Sequence, residues 1–170
     1  MRLRGRSTIL LAVLATAALV FAVLGWTGWW QADHDGSLGY AHSRDAVALA
    51  ARQDIVLLNT LDYQHLDAGL QTWLAASTGT LHDQLSQVGA ADRSSIVAAK
   101  TVTSGKVLAA AVTQLDDRAG TATVIASVEI TVTPAGSKAT VKRNRFTATM
   151  SRVGAAWKLS DLQQVPVSVS

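Results

Sequence analysis

Hydrophobic positions recur with two different periods along this chain. From Ser43 onward, Val47, Ala51, Ile55 and Leu58 form one helical stripe, with Ala50, Leu57 and Leu61 beside it. That spacing predicts an amphipathic helix from an N-cap at Ser43 to about Asn59. Arg44, Asp45, Arg52 and Asp54 fall between the apolar positions. A second helix is predicted from about Asp62 to Ser77, with Leu66, Leu70, Trp73 and Leu74 on one side and a break at Gly79. A short third helix carries Leu81, Leu85 and Val88 and stops at Gly89, and a fourth covers Ala91 to about Lys100.

Beyond Lys100 the period shortens to two. Lys106 to Leu115 predicts a strand, and Asp116 to Gly120 a turn. From Ala122 to Val132 the even positions are Ala, Val, Ala, Val, Ile and Val, while the odd ones are Thr123, Ile125, Ser127, Glu129 and Thr131. Such alternation marks a strand with one buried face. Pro134 to Ser137 reads as the next turn. Thr140 to Arg152 then buries Phe146, Ala148 and Met150 and turns Arg143, Arg145, Thr147 and Thr149 outward. A turn centred on Gly154 leads to a last strand with Trp157 and Leu159 inward, running to about Val165. Leu162 and Val165 break strict alternation there, which predicts a bulge near Ser160 and Asp161. Helices followed by strands indicate an α+β domain, with helices covering one face of an antiparallel sheet of about four strands.

Upstream lies a different kind of segment. No residue from Ser7 to Trp30 is charged. As a helix it would span roughly 35 Å, enough to cross a hydrocarbon core of about 30 Å. Arg2, Arg4 and Arg6 precede it and Asp33 and Asp35 follow, so the positive side is expected in the cytoplasm and the domain outside. Trp26, Trp29 and Trp30 stand where the helix would meet the outer interface and read as interface anchors. A cleaved signal peptide would have a shorter apolar core and small residues at its exit. The expected organisation is a cytoplasmic tail over 1–6, a membrane anchor over 7–30, a linker over 31–41, one extracytoplasmic domain over 42–166 and a tail over 167–170.

Composition narrows the chemistry. The chain has no cysteine, so its stability must come from a packed core, and thiolate zinc sites are excluded. Of fifteen Lys and Arg, three precede the apolar segment, leaving twelve against twelve Asp and Glu. A neutral exported part lacks the basic footprint of a nucleic-acid binder. Charge placement is nonetheless uneven. No acid lies between Glu129 and Asp161, a stretch that holds Lys138, Lys142, Arg143, Arg145, Arg152 and Lys158. These six are the candidate contacts for an acidic partner or for anionic lipid headgroups, against the plainer reading of a solvated strand face.

The whole sequence resembles the actinobacterial Mce-associated (mammalian cell entry-associated) membrane proteins. The features that carry this are the N-terminal arginines and apolar segment, the first helix ending in LLNTLDYQHLDAGL, then ASTGTLHDQL, GKVLAAAV, ATVIASVEITV and the closing RFTATMSRVGAAWKLSDLQQV. The resemblance implies an NTF2-like (SnoaL-like) cone, with helices in the hollow of a curved sheet. It also implies a non-enzymatic accessory role, without cofactor, in an assembly that imports lipids or sterols across the cell envelope. The same architecture is similar to VirB8-like subunits of type IV secretion machines, which gives an alternative role. A tethered module that holds an apolar ligand in the cone is another, with Ala109, Ala111, Ala122 and Ala126 as small residues that would leave room or let helices pack closely.

NTF2-like domains include enzymes, so Asp62, Tyr63, His65 and Asp67 need weighing as an acid–base set. The competing reading is a helix junction in which Asp62 caps, Tyr63 packs, and His65 and Asp67 face water; it is the one favoured here. His82 and Asp83 are adjacent and cannot share one helical face, and His34 and His42 lie in or beside the linker. No two histidines stand four apart, which argues against a metal site. Ser94 and Ser95 lack a nucleophile-elbow context.

Overall fold

The computed structural model describes residues 36–166. The chain falls into two units, Met1–Tyr40 and Ala41–Ser170, and the packing below is that of the second. The predicted anchor with Trp26, Trp29 and Trp30, the tails over 1–6 and 167–170, and the first part of the linker lie outside the described residues. Among the described residues no helix is long and apolar enough to cross a membrane.

The first helix, α1, spans Gly36–Leu58. It therefore starts earlier than predicted, and the stretch from Gly36 to Ala41, read as linker, is helical. Ser43 is not its N-cap; its hydroxyl serves another group, described below. A two-residue strand, β1 (Leu61–Asp62), and a 3₁₀ turn (Tyr63–His65) occupy the start of the predicted second helix, so α2 begins only at Leu66 and ends at Ala76. Helices α3 (Gly79–Ser86) and α4 (Ala90–Ala99) follow. Four long strands complete the domain: β2 (Thr101–Asp116), β3 (Thr121–Pro134), β4 (Thr140–Val153) and β5 (Ala156–Val165). All strands form one antiparallel meander in the order β1-β2-β3-β4-β5. The fold is α+β, as expected, with a fifth strand that the sequence pattern did not announce.

Alternation placed the core correctly. Val47, Ala51 and Ile55 of α1 are fully buried against Val124 and Val128 of β3, Ala148 and Met150 of β4, and Leu159 of β5, with Phe146 and Trp157 nearly so. Each of the Val, Ile, Leu, Met and Phe side chains among them contributes about 1.5–3 kcal/mol relative to exposure. The predicted bulge is present: Thr149 pairs with Asp161 and Met150 with Leu159, which leaves Ser160 unpaired. Strand β2 carries two more irregularities, at Leu108 and Thr113. At the β4–β5 hairpin Val153 pairs with Ala156, so only two residues turn the chain, and Gly154 takes φ +62° there.

The chain from β1 to Thr78 runs from one edge of the sheet to the other. β1 pairs with β2 through Leu61↔Thr103. At the far end Ser77 bridges Leu159 of β5, and the Thr78 N–H donates to the Leu159 carbonyl at 2.8 Å. Orphan carbonyls at helix ends need donors. At the end of α1 the Trp73 indole N–H donates to Leu57 O at 2.8 Å and to Thr60 O at 3.2 Å. At the end of α2 His82 Nδ1 lies 3.1 Å from Leu74 O.

Candidate functional site

The acid–base candidates are brought together, but in the open. Asp62 has extended backbone, and its Oδ1 accepts the Gln64 N–H at 2.9 Å. Its Oδ2 lies 3.0 Å from His65 Nδ1. The Gln64 N–H first, and then His65, hold the Asp62 carboxyl below its ordinary value. The His65 side chain is 75% exposed. Asp67 is drawn away to Arg93 on α4. His65, Asp67 and Arg93, with Tyr63, Ser94 and Val97, line a cleft of about 570 Å³ between the start of α2 and α4, and Asp62 lies outside that lining. Asp62 thus acts as the cap of a short turn, and the imidazole–carboxylate pair lacks the low-dielectric surroundings that tune acid–base groups. Among the described residues no three His, Cys, Asp or Glu side chains cluster as metal ligands.

The six basic candidates do not form one uncompensated field. Arg143 faces outward as expected, yet its Nε donates to Glu129 Oε2 at 3.1 Å across β3–β4. Arg152 pairs with Asp117 and lies over the Trp157 ring, 4.7 Å from its centroid. The Ser43 hydroxyl also donates to Asp117, and these two donors depress the Asp117 carboxyl. This small cluster ties α1, the β2–β3 turn and the β4–β5 hairpin. Lys158 is half-buried on β5 and exerts its charge on Asp54 of α1. Lys138, Lys142 and Arg145 are exposed, and none is in an ion pair among the described residues. The sequence reading missed both neutralising acids because Asp117 and Glu129 precede the acid-free stretch and reach it only through strand pairing.

Asp54 is the half-buried acid of the core edge. Loss of water raises its carboxyl from an ordinary value of 3.8 to about 6, against the lowering effects of Lys158 and of the Leu159 N–H. Its Oδ2 is buried without a hydrogen-bond partner among the described residues.

One surface went unnoticed in the sequence. A depression of about 360 Å³ is lined by Ala109, Ala111, Ile125, Ser127, Arg145 and Val165, with Ala110, Ala126 and Phe146 between them. The last three direct their side chains into the core, so the depression opens on the opposite, outer face of the sheet. The four alanines singled out as possible cavity formers therefore split: Ala122 and Ala126 are buried under α1, whereas Ala109 and Ala111 are exposed outside. The bulge at Leu108 decides this, because it shifts which residues of β2 face the core to Val107, Ala110 and Val112.

The fold is similar to several solved domains. An IcmL-like type IV secretion system protein from Legionella pneumophila matches with TM-score 0.60 at 11% identity, over 75% of this chain and 95% of that one. The periplasmic domain of DotI matches with TM-score 0.59 at 20% identity, over 72% and 95%. VirB8 of Agrobacterium tumefaciens matches with TM-score 0.52 at 12% identity, over 74% and 94%. At these identities the likeness is one of fold. In sequence, the uncharacterized protein Rv1363c of Mycobacterium tuberculosis is 27% identical over 161 residues, 92% of this chain; the chain spans 60% of that relative's length. The family described as "Uncharacterized protein Rv1363c/MT1408-like" matches residues 7–166, and the chain belongs to it.

Proposed function

We propose that the chain is a non-catalytic subunit of a multi-protein assembly in the cell envelope. The apolar segment over 7–30 would hold it in the membrane with the domain outside the cytoplasm. The observation that carries this reading is the shared fold with the IcmL-like protein, the periplasmic domain of DotI and VirB8, the first of which is named as a type IV secretion system protein. The solvent-facing Asp62–His65 pair, already used as a turn cap, supports a docking role over a reaction centre.

Two kinds of assembly fit. The solved neighbours favour a secretion-type subunit. The resemblance of the sequence, from the N-terminal arginines to the closing RFTATMSRVGAAWKLSDLQQV, favours an accessory of an Mce-type lipid or sterol importer. Purifying the tagged full chain from solubilised native membranes and identifying its stoichiometric companions separates them. Secretion-channel subunits support the first, lipid-import subunits the second, and a chain that emerges alone from gently solubilised membranes speaks against both. A reporter fused after Ser170 checks the topology: a reporter that works only outside the cytoplasm should be active, and activity of a cytoplasm-only reporter overturns the orientation.

A further inference from the structure

The depression on the outer face results from a local run of small residues in register across neighbouring strands. Ala109 pairs with Ser127, and Ala111 with Ile125. Ser127 stands opposite Arg145, which stands opposite Val165. Small side chains thus form the middle, and Ile125, Arg145 and Val165 form the walls. The space of about 360 Å³ lies within the range of small-ligand sites. Ile125 and Val165 are 49% and 40% exposed.

Only two side chains in the lining are polar, Ser127 and Arg145, and they are cross-strand neighbours. Arg143, two residues earlier, is occupied by Glu129 at 3.1 Å. Arg145 has no ion-pair partner among the described residues. A guanidinium presents paired donors that match a carboxylate, and a serine hydroxyl beside it adds a third. The ring of Phe146 belongs to the core, so the site offers no aromatic face for a flat ligand to stack on. An aliphatic body with one anionic head is the complement of this surface. We propose that the depression binds a free long-chain aliphatic carboxylate, its chain over Ala109, Ala111 and Ile125 and its head on Arg145 and Ser127.

The test uses the full chain in a maltoside detergent. It is photolabelled with a diazirine-bearing sixteen-carbon fatty acid or with the matching fatty alcohol, and the labelled peptides are mapped by mass spectrometry. Labelling over 7–30 reports general partition and serves as the internal reference. Relative to it, the acid should label the peptides holding 109–111 and 125–127 about tenfold more than the alcohol, the scale of one charge-assisted hydrogen bond. Arg145→Gln should bring acid and alcohol level, and Ala111→Trp should fill the space and reduce both. Arg118→Gln, an exposed change in the β2–β3 turn, should leave the ratio unchanged. Equal labelling by acid and alcohol in the unaltered chain, labelling confined to other peptides, or a ratio that survives Arg145→Gln overturns the proposal. Should Ala111→Trp fail to fold, the conservative exposed change Arg145→Gln decides alone. The result does not depend on the companions of the chain: a protein that keeps its assembly but shows no acid-selective labelling loses this site only.

Discussion

Asp54 and Asp117 respond to pH in opposite directions. Asp54 meets desolvation that Lys158 and the Leu159 N–H only partly offset, and its carboxyl rises from 3.8 to about 6. A raised folded value favours the protonated form. The native state is therefore unpenalised below about pH 4 and loses stability as pH rises through about 6. The difference nominally corresponds to about 3 kcal/mol; with the group still half in contact with solvent, about 1–2 kcal/mol is a better expectation. Asp54→Asn should accordingly stabilise the domain by about that amount at pH 7.5 and by almost nothing at pH 4, read from urea unfolding at both. Equal gain at the two pH values would show that packing, not charge, makes the difference. Asp117 behaves oppositely. Ser43 and Arg152 depress it, so its contribution is present above the ordinary carboxylate range and fades as pH falls through its lowered value.

At the level of elements, the end of α1 passes close over β2 at Gly105. A methyl group on Gly105 would lie 2.7 Å from Asn59 Cβ and 3.3 Å from the Val56 carbonyl. Neither atom is the end of a flexible side chain, so the helix would have to lift. Thr60 Oγ1 locks the same crossing, accepting the Gly105 N–H at 3.1 Å while donating to Val56 O at 2.8 Å. Gly105→Ala should cost about 1–3 kcal/mol in unfolding free energy, in the manner of overpacking, whereas Ser104→Ala next to it, exposed, should stay within about 0.5 kcal/mol. This contact also marks where the sequence stopped being legible. Period and alternation located the buried stripe of α1, the inward residues of β3 and β4 and the bulge at Ser160, because those follow from which face meets the core. They did not show β1, which is held by pairing to Thr103 and Val102 rather than by its own pattern. Nor did they show the outer-face depression, whose lining is set by the bulge at Leu108 and by register across strands far apart in sequence.

For the whole molecule, strand pairing rearranges the charge that the sequence spread along one stretch. Arg143 and Arg152 are matched by Glu129 and Asp117, and Lys158 acts on Asp54. Of the six basic candidates, those exposed and without an ion pair among the described residues are Lys138 in the β3–β4 turn, Lys142 and Arg145. A docking field should therefore centre on this hairpin end. Charges at such a rim mainly set association rate and specificity, and at ordinary ionic strength they act within about 8–10 Å. Reversing Lys138 and Lys142 to Glu should leave unfolding within about 0.5 kcal/mol for each change, because both side chains lie in water. The same double change should slow association with the companion subunits and weaken co-purification, and the loss should shrink as salt is added. Glu129→Gln offers the converse arm. It frees Arg143 from its 3.1 Å partner and adds a cation to the outer face, so association should strengthen at low salt. If neither the reversal nor the release alters co-purification or its salt dependence, the hairpin cations are a solvated strand end, and the partner must be held by another part of the domain.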